Sequence, residues 1–585
     1  MDTNMRWSLD DLYEGFNEKF KSDMASYKKD IDEIKAYAKS SLNQRDFAEG
    51  FVKRLTALAK YRILTDYCQL TLSTDTKNTE ALGYLDVLND ISSELAGPEA
   101  IFAEYIKNTE NINALIEESA FLKDHEFYIN EIKSASKHML SENEELIIAK
   151  MRNTGSSYWL KLYDQLMGGL SCEINIDGEE KSLSLSEIRN MAYDENREKR
   201  KSAYNSEIKA CEKIALPVSA CLNAIKGESI TVSKLKGYEN VLHMTLEDSR
   251  MEKDTLSAML SAMEESMEGF QKYFAKKAAL LGLEDSLQYY DLFAPVGKSS
   301  LSLSYPAAME FIIEKFSAFS KDLGEFARKA YESKWIDAKP RKGKVGGAFC
   351  ADLHPIKQCR IMTNFQEDSF DAVLTLAHEL GHGYHGSCLN EELPLNTEYS
   401  MPIAETASTF CETLICFEAL KTAEPADKLI ILENYISGCA QVIVDIYSRF
   451  TFEDALMKRR EEGSLSVKEL NNLMKNSIKK AYGKALNEDS IHSYMWLIKP
   501  HYYDSGYNYY NFPYAYGHLF SLGLYNKYLE EGPKFADTYK KLLAATGKNS
   551  LRDVGLLCGI DVNKKEFWQN SLNTLLGYIE DFSKL

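Results

Sequence analysis

Apolar residues recur at three- and four-residue spacing along most of this chain, the period of an amphipathic helix. Residues 1 to about 165 read as successive helices. Trp7-Ser8-Leu9-Asp10-Asp11-Leu12-Tyr13 opens them with Ser8 as N-cap, and Phe51 to Leu72 and Thr79 to Leu95 continue them. No signature recurs at fixed period, which disfavours a solenoid. The pattern breaks at 172–185. Cys172 to Ile176 alternates, Asp177-Gly178 is a hairpin turn, and Ser182 to Leu185 returns. Helices resume near Ser186, run again from Met251 to about Leu281, and reappear from Tyr305 to Ser333. Between the last two, Tyr289-Tyr290-Asp291-Leu292-Phe293-Ala294-Pro295 ends in a proline that stops regular structure. A second non-helical patch follows. Lys339 to Lys344 is a basic loop, Gly346-Gly347-Ala348-Phe349-Cys350 reads as a strand, and Cys359 to Asn364 as the strand that returns. Glycines in a strand permit close approach of another backbone. The next helix is capped by Asp368 or Ser369, with Asp371 in its first turn.

Composition agrees with a mainly α fold: only 12 Pro in 585 residues. Length implies several domain-sized units, and the pattern divides them into an N-terminal helical domain (1–195, with the hairpin near 172–185) and a second domain (196–585). The net charge of −19 argues against nucleic acid and acidic membrane as partners, and suits cationic ligands if it is concentrated near a cleft. The run Arg197-Glu198-Lys199-Arg200-Lys201 reads as a solvated helix face. Eleven cysteines lack CxxC spacing, and Cys350, Cys359, Cys411, Cys416 and Cys439, in apolar surroundings, read as buried small hydrophobes in a reducing cytoplasm. The opening residues lack a basic region followed by an apolar one. No run nears about 18 uninterrupted apolar residues, so no membrane span is expected.

The helix after Ser369 carries the chemistry, in His378-Glu379-Leu380-Gly381-His382. Residues four apart share a helix face, so both imidazoles can bind one divalent cation while Glu379 reaches a water beside it. A catalytic zinc usually takes three protein ligands and keeps one position open. In Pro402-Ile403-Ala404-Glu405-Thr406-Ala407-Ser408, Glu405 is an acid on a nearly uncharged stretch. Small neighbours allow close packing, and Pro402 suits a helix first turn. Glu398 and Glu412 are its rivals. Glu412 lies about 10 Å further along a helix, so it and Glu405 should not share an ion. The same arithmetic removes His385 from the set. His385 and Glu412 fit as partners that orient ligands, or as polar residues of a cleft wall. Further on, His501 to Gly517 holds seven tyrosines in 17 positions. Phenols and imidazoles there could donate to a developing oxyanion, or the cluster is an aromatic packing patch.

Taken together, these motifs resemble the oligoendopeptidase F branch of the thimet-oligopeptidase family of zinc metallopeptidases. The similarity runs nearly end to end, from Trp-Ser-Leu-Asp-Asp-Leu-Tyr through Tyr-Asp-Leu-Phe-Ala-Pro, Gly346 to Cys350, His378 to His382 and Ala404 to Ser408, to Tyr510-Asn511-Phe512-Pro513-Tyr514. The resemblance implies a helical ellipsoid with a deep central channel and a small β-sheet beside the active site. It implies one zinc ion per chain on His378, His382 and Glu405, with Glu379 as base and His501, Tyr507 and Tyr514 at the transition state. Tyr509 or Tyr510 competes for the place of Tyr507, and Tyr516 for that of Tyr514. Gly346, Gly347, Ala348 and Phe349 match the family's substrate-pairing edge, and short unstructured peptides are the implied substrates. The other class is a helical peptide-binding protein with a structural zinc site, which has no need of Glu379.

Overall fold

The computed structural model describes residues 5–176, 178–283, 286–297, 302–367 and 369–585. Helices dominate it, and its few short strands form two small sheets. The chain divides into two compact units, each assembled from three stretches. The first comprises Met1–His138, Leu301–Ala419 and Lys527–Gly559, the second Met139–Ser300, Leu420–Asn526 and Ile560–Leu585. The units therefore interleave along the chain, whereas the sequence pattern suggests consecutive domains meeting at 195.

In the first unit, N-terminal helices bury Phe20, Ile31, Phe47, Phe51, Leu64 and Phe102 in one apolar cluster. The earliest helix is Glu18–Ser40, capped by Asn17, whose side chain accepts from the Lys19 and Phe20 amides. The expected helix at Trp7 to Tyr13 is absent. Ser8 Oγ accepts from the Asp10 amide, the Ser8 amide donates to the Lys334 carbonyl, and Arg360 Nε donates to the Ser8 carbonyl. Distant partners hold that backbone, and Leu12 and Tyr13 close it into the core. Tyr305 to Ser333 is likewise two helices, Tyr305–Phe319 and Lys321–Glu332. Ser320 breaks them with an extended backbone, and its Oγ caps the second by accepting from the Leu323 amide. The apolar period resumes after the break, so the pattern hides it.

A hairpin in the second unit pairs β1 (Ser171–Ile176) with β2 (Glu179–Ser184), Cys172 opposite Leu183. Gly178 turns it with φ +89°, and Asp177 lies outside the described residues. In the first unit, β3 (Ile336–Asp337), β4 (Phe349–Leu353) and β5 (Gln358–Met362) form a sheet in the order β3-β5-β4. Gly346, Gly347 and Ala348 precede β4 rather than opening it, and Gly347 adopts φ +78°, outside the range of a strand. The loop before them is less exposed than its charge suggests. Lys344 is buried against Asp337 at 2.7 Å, and Arg341 also binds that carboxylate.

One more expectation is revised in the second unit. Arg197 and Arg200 both clamp Asp291, a buried carboxylate, at 3.0 and 2.8 Å, so only part of the 197–201 run faces solvent. The helical stretch Pro425–Glu462 contains an 18-residue window of mean hydropathy 1.5, long and apolar enough to cross a membrane. Of that window 56% is buried within the protein, and Glu433 inside the stretch pairs with Lys277 and accepts from Tyr273, as in a core helix. None of the eleven cysteines is in a disulfide, and all but Cys350 are buried.

Candidate metal centre

The histidine helix spans Phe370–Cys388 and begins at Ser369, which places no side-chain hydrogen bond on it. Asp371 stands in its first turn, and Asp368 lies outside the described residues. One side of this helix is buried by Leu376, Ala377 and Leu380. It closely approaches the 401–422 segment, in which Met401–Ala404 and Thr406–Thr422 are separate helices with Glu405 at the junction. A methyl group on Gly381 would stand 2.5 Å from the Ala407 carbonyl oxygen and 2.7 Å from the Ser408 Cα. The missing side chain is what lets the Glu405 junction reach the histidines.

His378 Nε2 and His382 Nε2 lie 3.3 and 3.4 Å from the same oxygen, Glu405 Oε2. A tetrahedral ion with Zn–N and Zn–O bonds near 2.0–2.1 Å holds its ligand atoms roughly 3.3 Å apart, so this spacing is that of a chelating set. One ligand atom from each of His378, His382 and Glu405 fits within a 4.8 Å span, and among the described residues these form the one such group. Glu412 stands behind it, with Oε2 3.3 Å from His378 Nδ1, on the ring nitrogen turned away from Glu405. It is placed to orient the ring. Glu398 bonds Arg62 at 3.0 Å. His385 is fully buried, bonded through Nε2 to Thr546 Oγ1 at 2.8 Å and stacked on Tyr399.

The electrostatics match this arrangement. Burial pulls the His378 ring down, but the carboxylates of Glu405 and Glu412 outweigh it and lift the ring to about 10. Burial would raise the Glu405 carboxyl, yet bonds to His378 and His382 hold it well below the usual range. A divalent cation would replace the protons that these groups share. Glu379 is 5% exposed, and its Oε2 has no hydrogen-bond partner. Burial raises its carboxyl, opposed by the two histidines. An unpartnered buried carboxylate beside two imidazoles and a third acid suits a water on a cation.

Strand β4 bounds the histidine helix. Phe349, Ala351 and Leu353 pack on the N-terminal helices, while Asp352 meets the helix at Gly386. Cys350 shares the Asp352 face, and its thiol feels the charge of Glu379. The edge of β4 away from β5 carries no strand among the described residues.

His501 and the tyrosines belong to the second unit, where the structure sorts them. Asn508 is anchored by the buried Lys226, which donates to its Oδ1 at 2.9 Å, and by Thr245 on its carbonyl. Tyr509 follows with φ +54°, a left-handed turn that sends its ring against Phe450 and its hydroxyl to Asp454. Tyr516 packs in the core against Phe520 and Trp568. The remaining rings form one group. Tyr510 stacks on His501 at 4.6 Å, contacts Tyr507 edge-on and meets the Tyr514 hydroxyl at 3.1 Å. Burial and the nearby Arg449 and Lys499 lower the His501 pKa. Tyr507 is 61% exposed. Tyr509 and Tyr516 are thus turned away from this group, and Tyr510 joins it as its centre.

Comparison with known proteins defines the chain as a peptidase. The Peptidase family M3 model matches residues 190–574 and the Oligopeptidase F model residues 108–171. The chain belongs to peptidase family M3. Oligopeptidase PepF of Bacillus subtilis is 23% identical over 96% of this chain and 84% of its own length. An oligoendopeptidase F homologue of Borreliella burgdorferi is 25% identical over 100% of this chain and 98% of its own length. The fold is shared with oligoendopeptidase-F from Enterococcus faecium (TM-score 0.72, 18% identity, 97% and 98% of the two chains). It is shared also with a crystal structure from Chlamydophila abortus (TM-score 0.85, 20% identity, 100% and 98%).

Proposed function

We propose that this protein is a zinc-dependent endopeptidase that cuts internal bonds of short, unstructured peptides. The observation that carries this reading is the donor set of His378, His382 and Glu405, with the unpartnered carboxylate of Glu379 beside it. One zinc ion bound there would acidify a water and polarise the scissile carbonyl. Glu379 accepts a proton from the attacking water and passes it to the leaving amine. The pKa raised by burial suits a carboxylate that must both take and return a proton. Glu412 fixes the His378 ring through Nδ1. His501 and a tyrosine of its group, Tyr514 or Tyr507, donate to the oxyanion. The residues leading into β4, Gly346, Gly347 and Ala348, together with Phe349, pair the substrate backbone as an added strand. Eleven cysteines with no disulfide among them fit a reducing compartment, and we place the enzyme in the cytoplasm.

Glu379→Gln keeps the shape and removes the proton acceptor. The variant should hold as much zinc as the wild type by elemental analysis and turn over a quenched-fluorescent peptide at least about 100-fold more slowly. Wild-type turnover in this variant would disprove the mechanism. A structural zinc in a peptide carrier is the competing class, and it predicts no cleavage with or without a chelator. Mass spectrometry of digests of a mixed peptide library separates internal cutting from trimming.

A further inference from the structure

Strand β4 has a neighbour that the chemistry above does not use. The helix Arg62–Thr74 and the turn after it are tied to the stretch before β4 by two backbone bonds, Val345 N to Ser73 O at 3.0 Å and Thr76 N to Gly343 O at 2.9 Å. Between that helix and β4 lies a recess of about 510 Å³, walled by Asp66, Gln69, Leu70 and Ser73 on one side and Phe349 and Ala351 on the other. Side chains alternate along a strand, so a peptide added to the free edge of β4 places every second side chain on the face of Phe349 and Ala351.

Asp66 is the ionisable group in this recess. Its Oδ2 is buried without a hydrogen-bond partner, and the neighbouring cation, Arg62, is engaged by Glu398 at 3.0 Å. Burial pushes the Asp66 carboxyl up to about 7, with Arg62 opposing and Asp352 adding to the rise. A carboxylate left in this state costs free energy until a cation reaches it. Leu70 and Phe349 provide the apolar wall along which the stem of a lysine or arginine can lie, with its charged head at the carboxylate.

We infer that the recess is a side-chain pocket for a lysine or arginine of the substrate, with Asp66 as the residue that selects it. This inference rests on the peptidase reading. The test uses peptides that carry Lys, Arg, Met or Glu at each position in turn, against the full-length wild type and Asp66→Asn. Fluorescence anisotropy of labelled peptides reads binding without turnover, and kcat/KM reads cleavage. At one position the wild type should prefer Lys or Arg over Met by roughly tenfold. That ratio should fall towards one in Asp66→Asn, survive in Asp66→Glu and invert in favour of Glu in Asp66→Lys. A flat ratio at every position in the wild type overturns the inference, as does a Lys preference that persists in Asp66→Asn. Binding with the Lys preference but without cleavage of any peptide would refute the peptidase reading and leave the pocket standing.

Discussion

At the scale of single residues, His385 shows how far a histidine can lie from chemistry while sitting three positions from a proposed ligand. Its ring is fully buried, and burial, with His382 beside it, pulls its pKa down to about 3. In the unfolded chain it titrates near 6.5. The folded protein therefore resists a proton that the unfolded chain accepts. The stability involved is whole above pH 6.5 and drains as pH falls from there towards 3, by about 1.4 kcal/mol per unit. His385→Gln should remove about 2 kcal/mol of the loss between pH 6.5 and 5, read from urea midpoints at each pH. Glu412 calls for a different measurement. It touches His378 only at Nδ1, so Glu412→Ala should weaken zinc binding about 10–100-fold, whereas Glu405→Ala should abolish stoichiometric binding. Equal losses in a competition titration would put both carboxylates in one role. Helix arithmetic is what made the pairing of His378 with His382 and the exclusion of His385 legible in the sequence, because it fixes which side chains share a face, whereas Glu405 was legible as a lone acid among small, uncharged neighbours. Tyr510 was not separable from Tyr509, since neighbouring positions in a loop have no fixed period and only the left-handed turn at Tyr509 sorts them.

Among elements, the contact between the histidine helix and the 401–422 segment carries the most consequence. Gly381→Ala places a methyl 2.5 Å from a carbonyl oxygen that belongs to the opposing backbone, so the helices must part. We expect about 1–3 kcal/mol of lost stability and a parallel fall in zinc affinity, because the same shift carries Glu405 away from both rings. Gly438 lies in a helix with nothing within 4 Å of the position a methyl would take, and Gly438→Ala should match or exceed wild-type stability. Thermal unfolding of the two variants side by side checks this. The tyrosine segment depends on a buried pair, Lys226 with Glu453 at 2.6 Å. Lys226→Met leaves that carboxylate buried alone and should cost about 3–5 kcal/mol while freeing Asn508. Most elements were legible because a helix with one apolar side announces its period. The exceptions share a cause. At Trp7 to Tyr13, at Ser320 and at Gly346 to Ala348, backbone groups are held by partners remote in sequence or by a turn that leaves the apolar pattern intact.

For the molecule as a whole, the interleaving of the two units governs behaviour. A fragment beginning at 196 lacks the N-terminal helices against which Phe349, Ala351 and Leu353 pack, together with the Ser8 carbonyl that holds Arg360. Expressed alone, it should be protease-sensitive and bind little zinc, although it contains every proposed ligand. A compact, zinc-loaded fragment in limited proteolysis would contradict this. The pattern of apolar positions could not disclose the interleaving, because period reports which face of an element is covered and not which element covers it. The same topology sets a clock during synthesis. His378, His382 and Glu405 leave the ribosome within 28 residues of one another, yet the unit that holds them closes only when the stretch ending at Gly559 has been made. A nascent chain should thus carry its proposed ligands well before the unit around them can close, which would withhold protease activity, from itself and from chains growing beside it, until Gly559 has been made.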